Sequence, residues 1–156
     1  MVKNVFKKLG KKQKNNKGFS LVELIVVIAI MAVLVGVLAP QLIKYVEKSR
    51  EATDIQTCDN IATALKTYYA DEEVSASASA TATTVTVTLS KTELGTGADA
   101  AVKDAGLTKA KIKGTKWTSD TIKIEYNKAD GTITYTGDSP YYHSENDQFK
   151  KGAKTK

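Results

Sequence analysis

The chain has 156 residues, 42% of them hydrophobic, with one cysteine and a formal charge of +6. One cysteine excludes an intramolecular disulfide framework, so a head domain must be held by its core. The charge does not indicate a nucleic-acid partner: Lys3, Lys7, Lys8, Lys11, Lys12, Lys14 and Lys17 put seven lysines and no acid in the first eighteen residues, and the other 138 residues carry sixteen basic groups against seventeen acids, so the high pI belongs to one terminal segment.

Residues 1–18 read as a basic, polar leader. Lysines beside a hydrophobic segment hold that flank on the cytoplasmic side of a membrane. From Phe19 to Ala39 the chain is apolar except for Ser20, Glu23 and Gly36. As a helix this segment spans roughly 30 Å, the thickness of a bilayer core. It is apolar all round, which separates it from a surface helix of a globular protein. No A-x-A-like site closes the run, so it is not read as a secretory signal that is cut away behind its apolar stretch.

Pro40 follows, and residues 19–40 are taken as one hydrophobic helix. Proline removes the bond to the carbonyl of Gly36, and glycine is a weak helix former, so a bend is expected between them. Helical spacing resumes with Leu42, Tyr45, Val46, Ser49, Ala52, Ile55, Ile61, Ala62, Leu65 and Tyr68. The spacing predicts an amphipathic helix over 41–71 that lays this stripe on a domain.

The remainder reads as the rest of that domain. Ser75 to Thr84 is a Ser/Ala/Thr run expected to be a surface loop. Val85, Val87 and Leu89 alternate with threonines and predict a strand. Ser90-Lys91-Thr92-Glu93 matches a capping box and predicts a helix reaching about Ala105, stopped by Gly106. Ile122, Ile124 and Tyr126, then Ile133 and Tyr135, predict two strands joined by a hairpin loop over Asn127 to Gly131. Residues 72–138 are thus expected to hold a loop and a small antiparallel sheet of three or four strands. Residues 139–156 read as a polar tail bearing Lys150, Lys151, Lys154 and Lys156. The predicted fold class is α+β: a long N-terminal helix, membrane-spanning in its first half and amphipathic in its second, packed on that sheet.

The feature that carries function is Glu23. A carboxylate inside a membrane helix costs roughly 3 kcal/mol or more, and such residues are usually paired and functional. It stands in Lys17-Gly18-Phe19-Ser20-Leu21-Val22-Glu23, followed by Leu24 to Ile30 without a charge. This stretch resembles the class III leader junction of type IV pilins and their relatives, the pseudopilins of type II secretion and competence systems. The resemblance covers Lys17 to about Ala70.

It implies that Gly18 is the last leader residue, cut by a membrane-embedded prepilin peptidase, and that Phe19 becomes the new N-terminus and is N-methylated. It implies that the Glu23 carboxylate meets the N-terminal ammonium at Phe19 of a neighbouring subunit during assembly, and that Pro40, with Gly36, marks the helix kink. It also implies a homo-oligomeric filament, a cytoplasmic assembly ATPase, an inner-membrane platform protein, and a membrane-held precursor with a cytoplasmic N-terminus that ends as an extracellular pilus. Such a filament serves adhesion, twitching motility, biofilm formation or DNA uptake. The leader is longer than in many type IVa pilins, although phenylalanine at the first mature position is type IVa-like. The alternative within the superfamily is a pseudopilin, and outside it an anchored domain that never polymerises.

Other candidates read as structural. Cys58 falls near the Ile55/Ile61 stripe and is expected as a small core residue. His143 is the one histidine, so no histidine-based triad or metal set is supported. Asp71-Glu72-Glu73 lacks the alternating spacing of a calcium loop. No phosphate loop, paired catalytic carboxylates or nucleophile elbow occurs. No cofactor, metal or catalytic residue is expected.

Overall fold

The computed structural model describes residues 18–70, 83–95, 98–145 and 147–153. The lysine-rich leader up to Lys17, Asp71-Glu72-Glu73, most of the Ser/Ala/Thr run, and Lys154 and Lys156 lie outside the described residues. Helix α1 runs from Leu21 to Tyr69 with Pro40 inside it, and the backbone stays helical through Gly36 and Pro40. The chain divides into two units, Met1–Gln41 and Leu42–Lys156.

In the first unit no described side chain is fully buried. Its large apolar residues from Leu21 to Leu38 are each about half to three-quarters exposed. Such a surface needs lipid or protein around it. By length and composition α1 is able to cross a membrane.

The second unit has a core. After α1 come β1 (Thr84–Leu89), α2 (Ala100–Asp104), β2 (Ile122–Asn127), β3 (Ile133–Thr136), β4 (Tyr142–Glu145) and β5 (Gln148–Lys151). Strands β1, β2 and β3 form an antiparallel sheet in that order. Val87 faces Ile124, and Ile124 faces Tyr135, so the alternating apolar residues share one face. That face closes on Cys58, Ile61, Ala62 and Leu65 of α1. The threonines of β1 point the other way and stay exposed. The hairpin between β2 and β3 is closed by Gly131 at φ 71°, with its N–H donated to the Asn127 carbonyl.

Three expectations are corrected. The helix predicted from Ser90 opens at Ala100, with Asp99 as its N-cap accepting the Ala101 N–H. Ser90 instead closes a turn, its hydroxyl accepting the Thr92 N–H. Asp99 wins the cap because it also accepts the Tyr69 hydroxyl from the end of α1, a partner no local motif reveals. Gly106 does end the helix: at φ 70° it donates to Lys103, and Leu107 donates to Val102, the two bonds of a Schellman stop.

The expected polar tail from Ser139 contains a two-stranded sheet, β4 with β5. Tyr142 and Ser139 are buried, and Phe149 packs edge-on against Trp117 and beside Tyr135. Spaced among polar residues, these few apolar anchors carried no clear period, yet each fills a gap at the sheet margin.

The amphipathic stripe holds in its second half, where Ile61, Ala62 and Leu65 are buried and Ile55 and Tyr68 pack against the core, and is rotated in its first half. Leu42, Ile43, Tyr45 and Val46 are exposed, as are Ser49 and Ala52, whereas the buried side chains of α1 are Glu47, Glu51, Asp54, Cys58, Ile61, Ala62 and Leu65. The first three are acids, and they are buried because the head supplies donors. Asp54 accepts the N–H groups of Lys113 and Gly114 and the indole N–H of Trp117, at 2.8, 2.7 and 2.9 Å. Glu47 accepts the Thr115 N–H, and Glu51 the Ser139 hydroxyl. A buried carboxylate is tolerated only when donors replace its water.

The loop lies so close to α1 that residue 114 has no room for a side chain. A Cβ there would come within 2.8 Å of the Glu51 Cγ and the Trp117 Nε1, and 2.9 Å of an Asp54 oxygen. Gly114→Ala is expected to destabilise the head by about 2 kcal/mol through overpacking. Thermal melting followed by fluorescence of Trp117, the single tryptophan, reads it out; an unchanged midpoint contradicts the packing described.

Candidate functional site

The candidate site is the start of α1. Gly18, Phe19 and Ser20 are non-helical and exposed, and the helix opens at Leu21. The Ser20 carbonyl accepts the first helical bond, from Leu24 at 3.2 Å. Ser20 is therefore the N-cap and Glu23 the third helical residue. The Ser20 N–H donates to the Glu23 Oε2 at 2.8 Å. This is half of a capping box, with the carboxylate turned back on its own helix end, where the macrodipole also favours a negative charge. Sequence reasoning treated Glu23 as awaiting an external partner; in the single chain it has an internal one. The Ser-x-x-Glu spacing that reveals this was present in the sequence.

Phe19 is 92% exposed. A Cβ built on Gly18 meets nothing within 4 Å, and the same holds for Gly36. Neither glycine is required by contacts among the described residues of this chain. The structure thus brings Gly18, Phe19, Ser20 and Glu23 together within one turn and leaves Gly36 and Pro40 farther along an unbroken helix.

The remaining candidates fall inside the head. Cys58 is fully buried in the core, where burial and the neighbouring Asp54 and Asp59 push its thiol pKa up. His143 has Nδ1 within 2.8 Å of the Gly152 carbonyl and sits 3.9 Å from Glu145, which also pairs with Lys150 at 2.7 Å. Tyr135 donates its hydroxyl to Asp59 at 3.0 Å, and burial with that carboxylate pushes the phenol up. Burial and Asp99 push Tyr69 up to about 12. Both tyrosines act as neutral donors that pin α1 to the head. Among the described residues no group of three or more His, Cys, Asp or Glu is placed to hold a metal ion.

Residues 13–39 match the prokaryotic N-terminal methylation motif. This is the class III signal segment of type IV pilins. A curated relative, prepilin peptidase-dependent protein A of Clostridium perfringens (strain 13 / Type A), is 40% identical over 70 residues, which is 43% of this chain and 49% of that protein. The match thus spans about half of the relative's length. No solved structure matches the chain significantly. The chain is type IV pilin- or pseudopilin-like, its apolar helix and signal segment fit a membrane-anchored precursor, and what it resembles is a structural family.

A raised, sealed thiol reacts slowly because the thiolate is the nucleophile. Cys58 in the folded chain is expected to resist iodoacetamide at neutral pH and to be labelled within the same time once denaturant unfolds the head. Intact mass reads the adduct, and rapid labelling of the folded chain contradicts the burial.

Proposed function

We propose that this chain is a prepilin, held in the inner membrane by α1 and cut between Gly18 and Phe19 by prepilin peptidase. Phe19 is then N-methylated, and the mature chain polymerises through α1 into a surface pilus. The observation that carries this reading is Glu23: a single carboxylate one turn into an exposed apolar helix, directly behind the Gly18-Phe19 junction.

Before cleavage Phe19 has no free amine, and Glu23 is held by its own Ser20 N–H. Cleavage creates an ammonium at Phe19. In an array of parallel helices the ammonium of one subunit and the Glu23 of the next form a pair in a low-dielectric setting, where two uncompensated charges are relieved together. Processing thereby switches on assembly. The apolar residues of α1 supply the rest, exchanging lipid for identical helices.

Gly18 has open space around it among the described residues, which supports a demand for glycine coming from the peptidase. Gly36 and Pro40 are the proposed kink, where helices packed in a filament bend or open. Extraction from the membrane is assigned to a cytoplasmic ATPase acting through an inner-membrane platform protein.

Glu23→Ala is expected to be cut normally, to start at Phe19, and to reach the sheared surface fraction at roughly a tenth of the wild-type amount or less, since removing one partner of a buried pair costs several kcal/mol and 1.4 kcal/mol is tenfold. Intact mass of the sheared material is the measurement. Normal filaments in cells lacking the wild-type subunit overturn the charge-pair step. A wild-type chain that is cut but stays in the envelope points to a pseudopilin, and an uncut chain to an anchored domain.

A further inference from the structure

The buried acids of α1 are not equally satisfied. Glu47, Glu51 and Asp54 stand at steps of four and three, so they neighbour one another on one helix face, and all three are less than a tenth exposed. Asp54 accepts three N–H donors. Glu47 accepts one from the Thr115 main chain and has Arg50 at 3.7 Å. Glu51, between them, is fully buried and among the described residues receives only the Ser139 hydroxyl on Oε2, while its Oε1 is sealed from solvent with no hydrogen-bond partner among them.

Ser139 has nothing more to give. Its oxygen accepts the N–H groups of Tyr141 and Tyr142 at 3.1 and 3.0 Å, and its one proton goes to Glu51. Gly114 closes the site from the loop side, against the Glu51 Cγ. Lys113 and Lys116 on that loop are exposed, and the ion pair found in this row among the described residues is that of Arg50 with Glu47. An ionised Glu51 is thus a sealed charge flanked by two further carboxylates, with one neutral donor.

We propose that the folded head holds a proton on the Glu51 carboxyl, and that this proton makes the fastening of loop 113–117 to α1 pH-dependent. With the proton on Oε1 the group is neutral, the two flanking carboxylates no longer face a third charge, and Oε2 keeps the Ser139 hydroxyl. Burial is the main cause that pushes Glu51 above the usual carboxylate range, with Glu47 and Asp54 adding to it and Ser139 opposing it.

In the folded state the group therefore binds its proton more tightly than in the unfolded chain. Its contribution is fully present below the unfolded value and is lost as pH rises through the folded one. Loss of the proton leaves a sealed charge between Glu47 and Asp54 and weakens the acidic row on which loop 113–117 is fastened, while the Ser139 hydroxyl, a better donor to a carboxylate than to a carboxyl, offsets part of that loss.

The test uses the full chain in detergent micelles. Wild type and Glu51→Gln, which keeps shape and neutrality at every pH, are melted by Trp117 fluorescence from mildly acidic to mildly alkaline pH. The two are expected to coincide in acid and to separate in alkali, where the variant melts higher by roughly 5 °C. Parallel curves, or a variant that is less stable throughout, overturn the proposal. The wild-type chain carrying carbon-13 at the glutamate side-chain carboxyls gives an independent reading. One resonance is expected to keep its protonated position at neutral pH and to move on unfolding. Absence of any such resonance overturns the proposal whether or not the variant folds.

Discussion

Main-chain N–H groups of the head end on carboxylates of the helix, and the arrangement of the second unit depends on that. Loop 113–117 contains no regular structure, so its amides have no ladder to join. Those of Lys113, Gly114 and Thr115 are satisfied by Asp54 and Glu47, and the indole of Trp117 follows them onto Asp54. Such charge-assisted bonds are shorter and stronger than neutral ones, and they are directional. They fix which face of α1 turns inward, and Gly114 is the consequence, because the side chains of Glu51, Asp54 and Trp117 close around it and leave no space for a Cβ.

One helix carries carboxylates that are buried or stand in its apolar first half, and the donors that reach them come by different routes. Glu23 turns back on the helix end and takes the Ser20 N–H. Glu47 and Asp54 take amides from a loop about sixty residues away in sequence. Glu51 has a single hydroxyl and an orphaned oxygen. The physical problem is the same each time: removing a charge from water is costly unless donors replace the water. The answers differ because the neighbourhoods differ. At the helix start free amides and the dipole are at hand, in the head a folded loop supplies them, and between those two acids little remains.

The absence of any possible internal disulfide places the burden of cohesion on packing and hydrogen bonds. The core answers with Ile61, Leu65, Val102, Ile122 and Ile124, all essentially inaccessible. Around it Tyr69, Tyr135 and Trp117 each combine an apolar body with a donor aimed at an acid. These three amphipathic side chains tie α1 to α2, to β3 and to the 113–117 loop, the work that covalent bridges do in smaller secreted domains.

The sequence by itself determined what local pattern and composition encode. It located the membrane-length apolar segment with its lone Glu23, the alternating strands β1 to β3 and the glycine stop at Gly106, because each rests on residues within a few positions of one another. What only the tertiary structure decided is which partner each polar group finds. Glu47, Glu51 and Asp54 look like a solvated face until a distant loop turns them inward. Ser90-x-x-Glu93 looks like a cap until Asp99 gains Tyr69. The segment after Ser139 looks like a tail until Tyr142 and Phe149 reach the sheet margin. Burial of a polar side chain depends on donors brought from afar by the fold, and no periodicity along the chain records where those donors will be.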